Sequence, residues 1–149
     1  MNAAADRFFV DTNVLLYSVD DSDVTKHDRA RKWLDSLWAA NSGRLSWQVL
    51  NEFYANAIRK LKKPAVRVRQ NVDAFAMWQP VGFGLGMLHR AWHWNDTRGL
   101  PYWDSLIVAS AESTGCKYLL SEDFQAGQEF SGVTVVNPFL SSPDEFNLA

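Results

Sequence analysis

Arg7-Phe8-Phe9-Val10-Asp11-Thr12-Asn13-Val14-Leu15-Leu16 is the stretch from which the fold can be read. Phe8, Phe9 and Val10 form a short apolar run that reads as a buried strand, ended at Asp11 by polar residues. Asp11-Thr12-Asn13 opens a second apolar run able to turn into a helix, with Thr12 or Asn13 available as its cap. A carboxylate, a hydroxyl and an amide thus stand together at the carboxyl end of the first strand. In open α/β sheets that edge is where ligands bind.

The same rhythm continues outward. Ala30, Trp33, Leu34, Leu37 and Trp38 recur at helical spacing and predict a helix from Val24 to Ala40, ended by Asn41-Ser42-Gly43. Arg44 to Trp47 stands where a second strand is needed. Gln48 to Lys62 reads as a helix with Leu50, Phe53, Tyr54, Ala57, Ile58 and Leu61 on one side. Pro64 suits the first turn of the next helix, whose inward stripe is Val68, Val72 and Phe75. Met77 to Val81 is a candidate third strand, confined by Pro80 to an edge or a strand end. Phe83 to Trp94 and Tyr102 to Thr114 read as helices, the second stopped at Gly115. Asn95 to Pro101 reads as a loop. Lys117 to Leu120 and Val133 to Val136 read as strands, and the tail from Asn137 as irregular. Strands alternating with helices predict an α/β sandwich with a parallel sheet, in one domain over 1–149 with its core from about 7 to 136.

Composition narrows the function. The 149 residues are 47% hydrophobic and 13% aromatic, with seven Trp, which excludes a disordered chain. No apolar run approaches the ~20 residues that cross a bilayer. The N-terminus shows neither a basic start nor an apolar stretch of signal length. With the single Cys116, read as a small buried residue, this places the protein in the cytoplasm as an expectation. The net charge of −2 argues against a general nucleic-acid binder. Locally, Phe53 to Val72 contains no acid while Arg59, Lys60, Lys62, Lys63, Arg67 and Arg69 are all basic. That run is either a solvated face or a phosphate-contacting patch.

Most of the seventeen Asp and Glu should be plain surface residues. Four are placed unusually. Asp11 ends the first strand, although a turn or cap role would explain it alone. Glu52 projects away from the apolar stripe of its helix, and its i+3 and i+4 neighbours, Ala55 and Asn56, offer no ion pair. Asp104 shares a helix face with Ile107, Val108 and Ala111, where a carboxylate is costly unless paired or metal-bound. A first-turn Asp favoured by the helix dipole explains the turn but not the inward face. Asp123 follows a strand in Leu120-Ser121-Glu122-Asp123-Phe124, repeating the opening pattern, and Glu122 is the alternative participant there.

Asp11-Thr12-Asn13, Glu52 within a helix, Trp103-Asp104-Ser105-Leu106-Ile107-Val108-Ala109-Ser110-Ala111 and Leu120-Ser121-Glu122-Asp123-Phe124, in this order, resemble the PIN domain. More closely they resemble the toxin ribonucleases of bacterial VapBC toxin–antitoxin pairs. The resemblance covers roughly Phe8 to Val136. It implies a three-layer α/β/α sandwich, endoribonuclease activity dependent on Mg²⁺ or Mn²⁺, and inhibition by a cognate VapB-like antitoxin. Such toxins are often homodimers. Asp11, Glu52, Asp104 and Asp123 match the acidic positions, and Thr12, Asn13 and Ser121 the polar helpers. Ser121 stands where Thr is frequent, and Glu122 is an extra acid without an assigned role.

Hard cations such as Mg²⁺ and Mn²⁺ take oxygen ligands, so a carboxylate cluster suits them better than Zn²⁺. Carboxylates forced together repel and raise one another's pKa, a penalty that a divalent cation removes. The expectation is that Asp11 and Asp104 contact metal directly, with Glu52 and Asp123 completing the shell or positioning the water. Such a site repels RNA, so Arg59, Lys62, Lys63, Arg67 and Arg69 are the candidate phosphate contacts. Trp47 and Trp103 are available for base stacking, with core packing as the default for both.

Rival chemistries fit less well. His89 and His93 at i, i+4 lack the Glu of H-E-x-x-H and a third ligand. No G-x-S-x-G elbow, G-x-G-x-x-G or P-loop is present. A haloacid-dehalogenase-type phosphatase needs a second Asp where Asn13 stands. The remaining alternative is a PIN-like RNA- or protein-binding adaptor without turnover.

Overall fold

The carboxyl ends of the parallel strands create the site, and the register shows how. The structure is a computed structural model that describes residues 5–148; the reading of the extreme N-terminus falls largely on residues 1–4 and lies outside them. Five strands, β1 (Phe8–Val10), β2 (Gly43–Arg44), β3 (Tyr118–Leu120), β4 (Glu129–Phe130) and β5 (Val133–Val136), lie in the order β2-β1-β3-β5-β4. All neighbours are parallel except β4, which runs antiparallel to β5. Val10 is paired with Leu120 and Leu120 with Val136. The next residues therefore emerge side by side. Asp11 N–H donates to the Leu120 carbonyl at 3.0 Å, and Ser121 N–H to that of Val136 at 3.0 Å.

Among the described residues, six helices flank the sheet: α1 (Thr12–Val19), α2 (Val24–Ala40), α3 (Trp47–Arg59), α4 (Ala65–Phe75), α5 (Leu85–Arg98) and α6 (Tyr102–Ser113). α1 packs on α2 and α3, and α3 on α4; α5 pairs with α6, which lies against β1, β3 and β5. With helices on both faces, β1 is buried along its whole length, which is why it reads as an unbroken apolar run. This is the three-layer α/β/α architecture expected. Phe8 stacks on Tyr118 and touches Trp33, while Met87, Ala91, Leu106 and Ala109 seal α5 to α6.

Several local readings need correction. The cap of α1 is Asp11, whose side chain accepts from Thr12 N–H, rather than Thr12 or Asn13. The second strand is Gly43–Arg44, and Trp47 already belongs to α3, because the Ser46 hydroxyl caps that helix on Val49 N–H. Gly43 admits no side chain there, since a Cβ would meet the Trp78 ring at 2.6 Å. Met77–Val81 is not a strand. Ala76–Trp78 is a 3₁₀ turn, Gln79 turns left-handed at φ 55°, and only Val81 makes an isolated bridge, to Ser46. α5 runs on to Arg98, replacing the loop expected from Asn95, and buries Trp94 while leaving Trp92 exposed.

Strand β4 carries no periodicity in its two residues. The tail is ordered: a 3₁₀ turn at Pro143–Phe146, boxed by Ser142 and Glu145, sets Phe146 against Phe8, Trp33 and Tyr118. Leu148 is buried behind it. Burial of this strap onto the first strand overrides its Ser- and Pro-rich composition.

Candidate active site

At the strand ends, Asp11 is buried and fully engaged. Its Oδ1 accepts from Thr12 N–H at 2.8 Å, and its Oδ2 from the Ser121 hydroxyl at 2.7 Å and Asn13 Nδ2 at 3.3 Å. Burial pushes the Asp11 carboxyl up to about 7; the bonds from Ser121 and Thr12 oppose that rise, and the charges of Asp123 and Glu52 add to it.

Asn13 ties the two strand ends together. Its Nδ2 also donates to Asp123 Oδ2 at 3.1 Å and to Ser121 Oγ at 3.1 Å, while its Oδ1 accepts from Glu122 N–H at 3.3 Å. Ser121 Oγ accepts in turn from Asp123 N–H at 3.1 Å. One amide thus spaces two carboxylates that would otherwise repel.

The helices supply the other acids. The Thr12 hydroxyl donates to Glu52 Oε2 at 2.8 Å, which joins the start of α1 to α3. Gln48 Nε2 donates to Glu52 Oε1 at 3.0 Å and to the Trp103 carbonyl at 3.2 Å, which joins α3 to α6. Asp104, the next residue, is half-buried in the first turn of α6, on the face that also buries Ile107, Val108 and Ala111. Partial burial raises its carboxyl, helped by the nearby charges of Asp123 and Glu52. All four acids therefore gather at one sheet edge, linked through Thr12, Asn13, Ser121 and Gln48.

Glu122 points elsewhere. It pairs with Lys26 at 2.8 Å, and that ammonium also lies over the Tyr17 and Phe139 rings. Of the two adjacent carboxylates, only that of Asp123 shares Asn13 Nδ2 with Asp11. Trp47 and Trp103 are exposed rather than in the core, at 48% and 62%, and they flank Gln48 where α3 and α6 begin.

The basic residues stand apart from the acidic network. Arg59 lies seven residues beyond Glu52, about 10 Å along the helix axis. Lys62 and Lys63 lie in the loop to α4, and Arg67 and Arg69 on α4 itself. Lys63 and Arg67 line a cavity of about 310 Å³ with His27 and Arg31, and Arg69 Nε donates to the Tyr54 hydroxyl at 3.2 Å.

The residue that the sequence reading passed over is Gln48. Its signal was present, four residues before Glu52 and hence on the same helix face.

The candidate ligands suit a hard cation: all four are carboxylates, and those of Asp11 and Asp104 are raised by burial and by neighbouring charge. Among the described residues, no three His, Cys, Asp or Glu side chains are yet gathered tightly enough to hold one ion. The acids are spaced by hydrogen-bond donors, which a cation would have to draw together.

Comparisons with known proteins agree with this fold. The family model of the PIN domain matches residues 8–128. Among solved structures, the sarcin–ricin loop cleaving toxin VapC20 of Mycobacterium tuberculosis superposes with a TM-score of 0.58 at 20% identity. The match covers 78% of this chain and 91% of that one. No curated protein matches the sequence.

Proposed function

The chain belongs to the PIN domain family, and from that premise we propose that it is a single-domain, metal-dependent endoribonuclease, the toxin of a VapBC-type pair. The observation that carries this reading is the convergence of Asp11, Glu52, Asp104 and Asp123 from four separate segments onto one hydrogen-bonded edge. The likeness to VapC20, itself an RNA-cleaving toxin, supports RNA as the substrate. A cognate VapB-like antitoxin and a homodimeric assembly belong to the same reading.

Asp11 and Asp104 would hold Mg²⁺ or Mn²⁺, with Glu52 and Asp123 completing the shell. A cation held there would supply a lowered pKa for an attacking water and counter-charge for the phosphate. The chain's own residues prepare that chemistry. Ser121 and Thr12 N–H point two donors at Asp11 and favour its ionised form. Asn13 holds Asp123 at a set distance, and Thr12 holds Glu52. The exposed rings of Trp47 and Trp103 give unpaired bases a stacking surface beside the acids. Arg59, Lys62, Lys63, Arg67 and Arg69 offer phosphate contacts further along the strand.

The experiment is RNA cleavage with Mn²⁺, compared between wild type and Asp104→Ala, together with Mn²⁺ titration calorimetry. Loss of both cleavage and tight Mn²⁺ binding in the variant is expected. Full metal-dependent cleavage by Asp104→Ala defeats the assignment. A wild-type protein that binds RNA but no Mn²⁺ is instead a binding adaptor.

A further inference from the structure

Gln48 is 7% exposed, and its two amide hydrogens are committed to acceptors on different helices, Glu52 Oε1 and the Trp103 carbonyl. Those acceptors fix the amide's orientation. Reversing it would set an oxygen against a carboxylate and a carbonyl. The amide oxygen is consequently turned away into protein, where among the described residues it has no partner.

A buried acceptor left unpaired costs stability, and a methionine of similar length would fill the same space without that cost. What the amide supplies in exchange is geometric. Thr12 holds one oxygen of Glu52 and Gln48 the other, so the carboxylate plane is locked at both ends. The second amide hydrogen grips the carbonyl of the residue preceding Asp104. Among the hydrogen bonds of the described residues, this is the link between the helix that bears Glu52 and the helix that bears Asp104.

We propose that Gln48 is a positioning residue: it sets the orientation of Glu52 and the spacing of Glu52 from Asp104 so that the two can share a divalent cation. The proposal rests on the nuclease reading and goes beyond it. Partners that orient metal ligands in this way are worth 10–100-fold in affinity or activity when removed, by general experience.

The test combines Mn²⁺ calorimetry, thermal melting and steady-state RNA cleavage on wild type, Gln48→Met, Glu52→Gln and the double variant. Gln48→Met is expected to melt at the wild-type temperature or above, because the unpaired acceptor is gone. It should bind Mn²⁺ about 10–100-fold more weakly and lose kcat with little change in KM. In the Glu52→Gln background the same change should cost little further affinity, since its target has already been altered. Gln48→Asn, which keeps the amide but cannot span both acceptors, should weaken Mn²⁺ binding in the same direction and covers the case in which the methionine does not fold. Wild-type Mn²⁺ affinity in Gln48→Met and Gln48→Asn, or losses that add fully to those of Glu52→Gln, overturns the positioning role and leaves the nuclease reading standing. Absence of Mn²⁺ binding by the wild type overturns both.

Discussion

Asp11 and Asp123 occupy the half of the site that follows the strand ends, whereas Glu52 and Asp104 occupy the half borne within helices α3 and α6, and the two halves are held by different means. On the strand side, sheet register alone brings Asp11 beside Ser121, and the Asp11 carboxylate accepts three hydrogen bonds. On the helix side, Glu52 is reached by the side chains of Thr12 and Gln48, and among the described residues the Asp104 carboxylate accepts none. A parallel sheet positions its edge residues through backbone bonds that no single substitution removes. Helix-borne acids depend on side-chain links that one substitution can cut. The strand half should therefore respond to perturbation mainly in ionisation and the helix half mainly in position.

The largest effect expected is on the strand side and follows pH. With its folded pKa near 7 against 3.8 ordinarily, Asp11 binds its proton more tightly folded than unfolded. Stability should accordingly fall as pH rises from about 4 to about 7 and level off above, by up to about 4 kcal/mol from this group. Chemical denaturation of metal-free protein at pH 5 and pH 8 measures it. Asp11→Asn should flatten the slope, and Mn²⁺ at pH 8 should restore stability to wild type but not to the variant. An unchanged slope in Asp11→Asn would show that the strand half is not under electrostatic load.

Next in size is Ser121→Ala, which removes a donor to Asp11 and an acceptor for Asp123 N–H at once. A loss of about 1–3 kcal/mol in stability is expected, with Mn²⁺ binding weaker by about 10–100-fold in calorimetry. Survival of full affinity would mean that sheet register suffices without the hydroxyl.

Smaller changes are expected away from both halves. Arg67→Ala with Arg69→Ala should weaken RNA binding and reduce the slope of log affinity against log salt by roughly two. If the slope is unchanged, the basic run serves another surface. Smallest of all is Glu122→Gln, whose partner is the partly exposed Lys26. It should leave cleavage within about twofold and cost less than about 1 kcal/mol, whereas Asp123→Asn, one residue on, should abolish most activity. Equal losses from the two would erase the distinction drawn between these neighbours.

What was legible in the sequence follows the length of its signals. Helix α2 could be bounded at both ends, because seventeen residues carry a sustained apolar period and end at Asn41 in the left-handed region. Strand β4, two residues long, carries no period at all, and the Met77–Val81 run was overruled by the turn at Gln79. The same holds within the site. Asp104 stood out because a carboxylate interrupted an apolar face. The choice of Asp123 over Glu122 rested on the family resemblance and not on local pattern, since side-chain direction after a strand depends on which neighbours wait there: Lys26 for one, Asn13 for the other.

The chain by itself determined the sandwich architecture and the identity of its unusual acids, because burial on both faces of a parallel sheet and the cost of an inward-facing carboxylate are written into local pattern. Only the tertiary structure decided that Asn13 and Gln48 bind those acids together, that Trp47 and Trp103 stand exposed, and that the tail is a buried strap. Each of these depends on contacts between residues some 55 to 138 positions apart, or on how much surface the finished fold leaves uncovered. Neither quantity is encoded in a window of sequence.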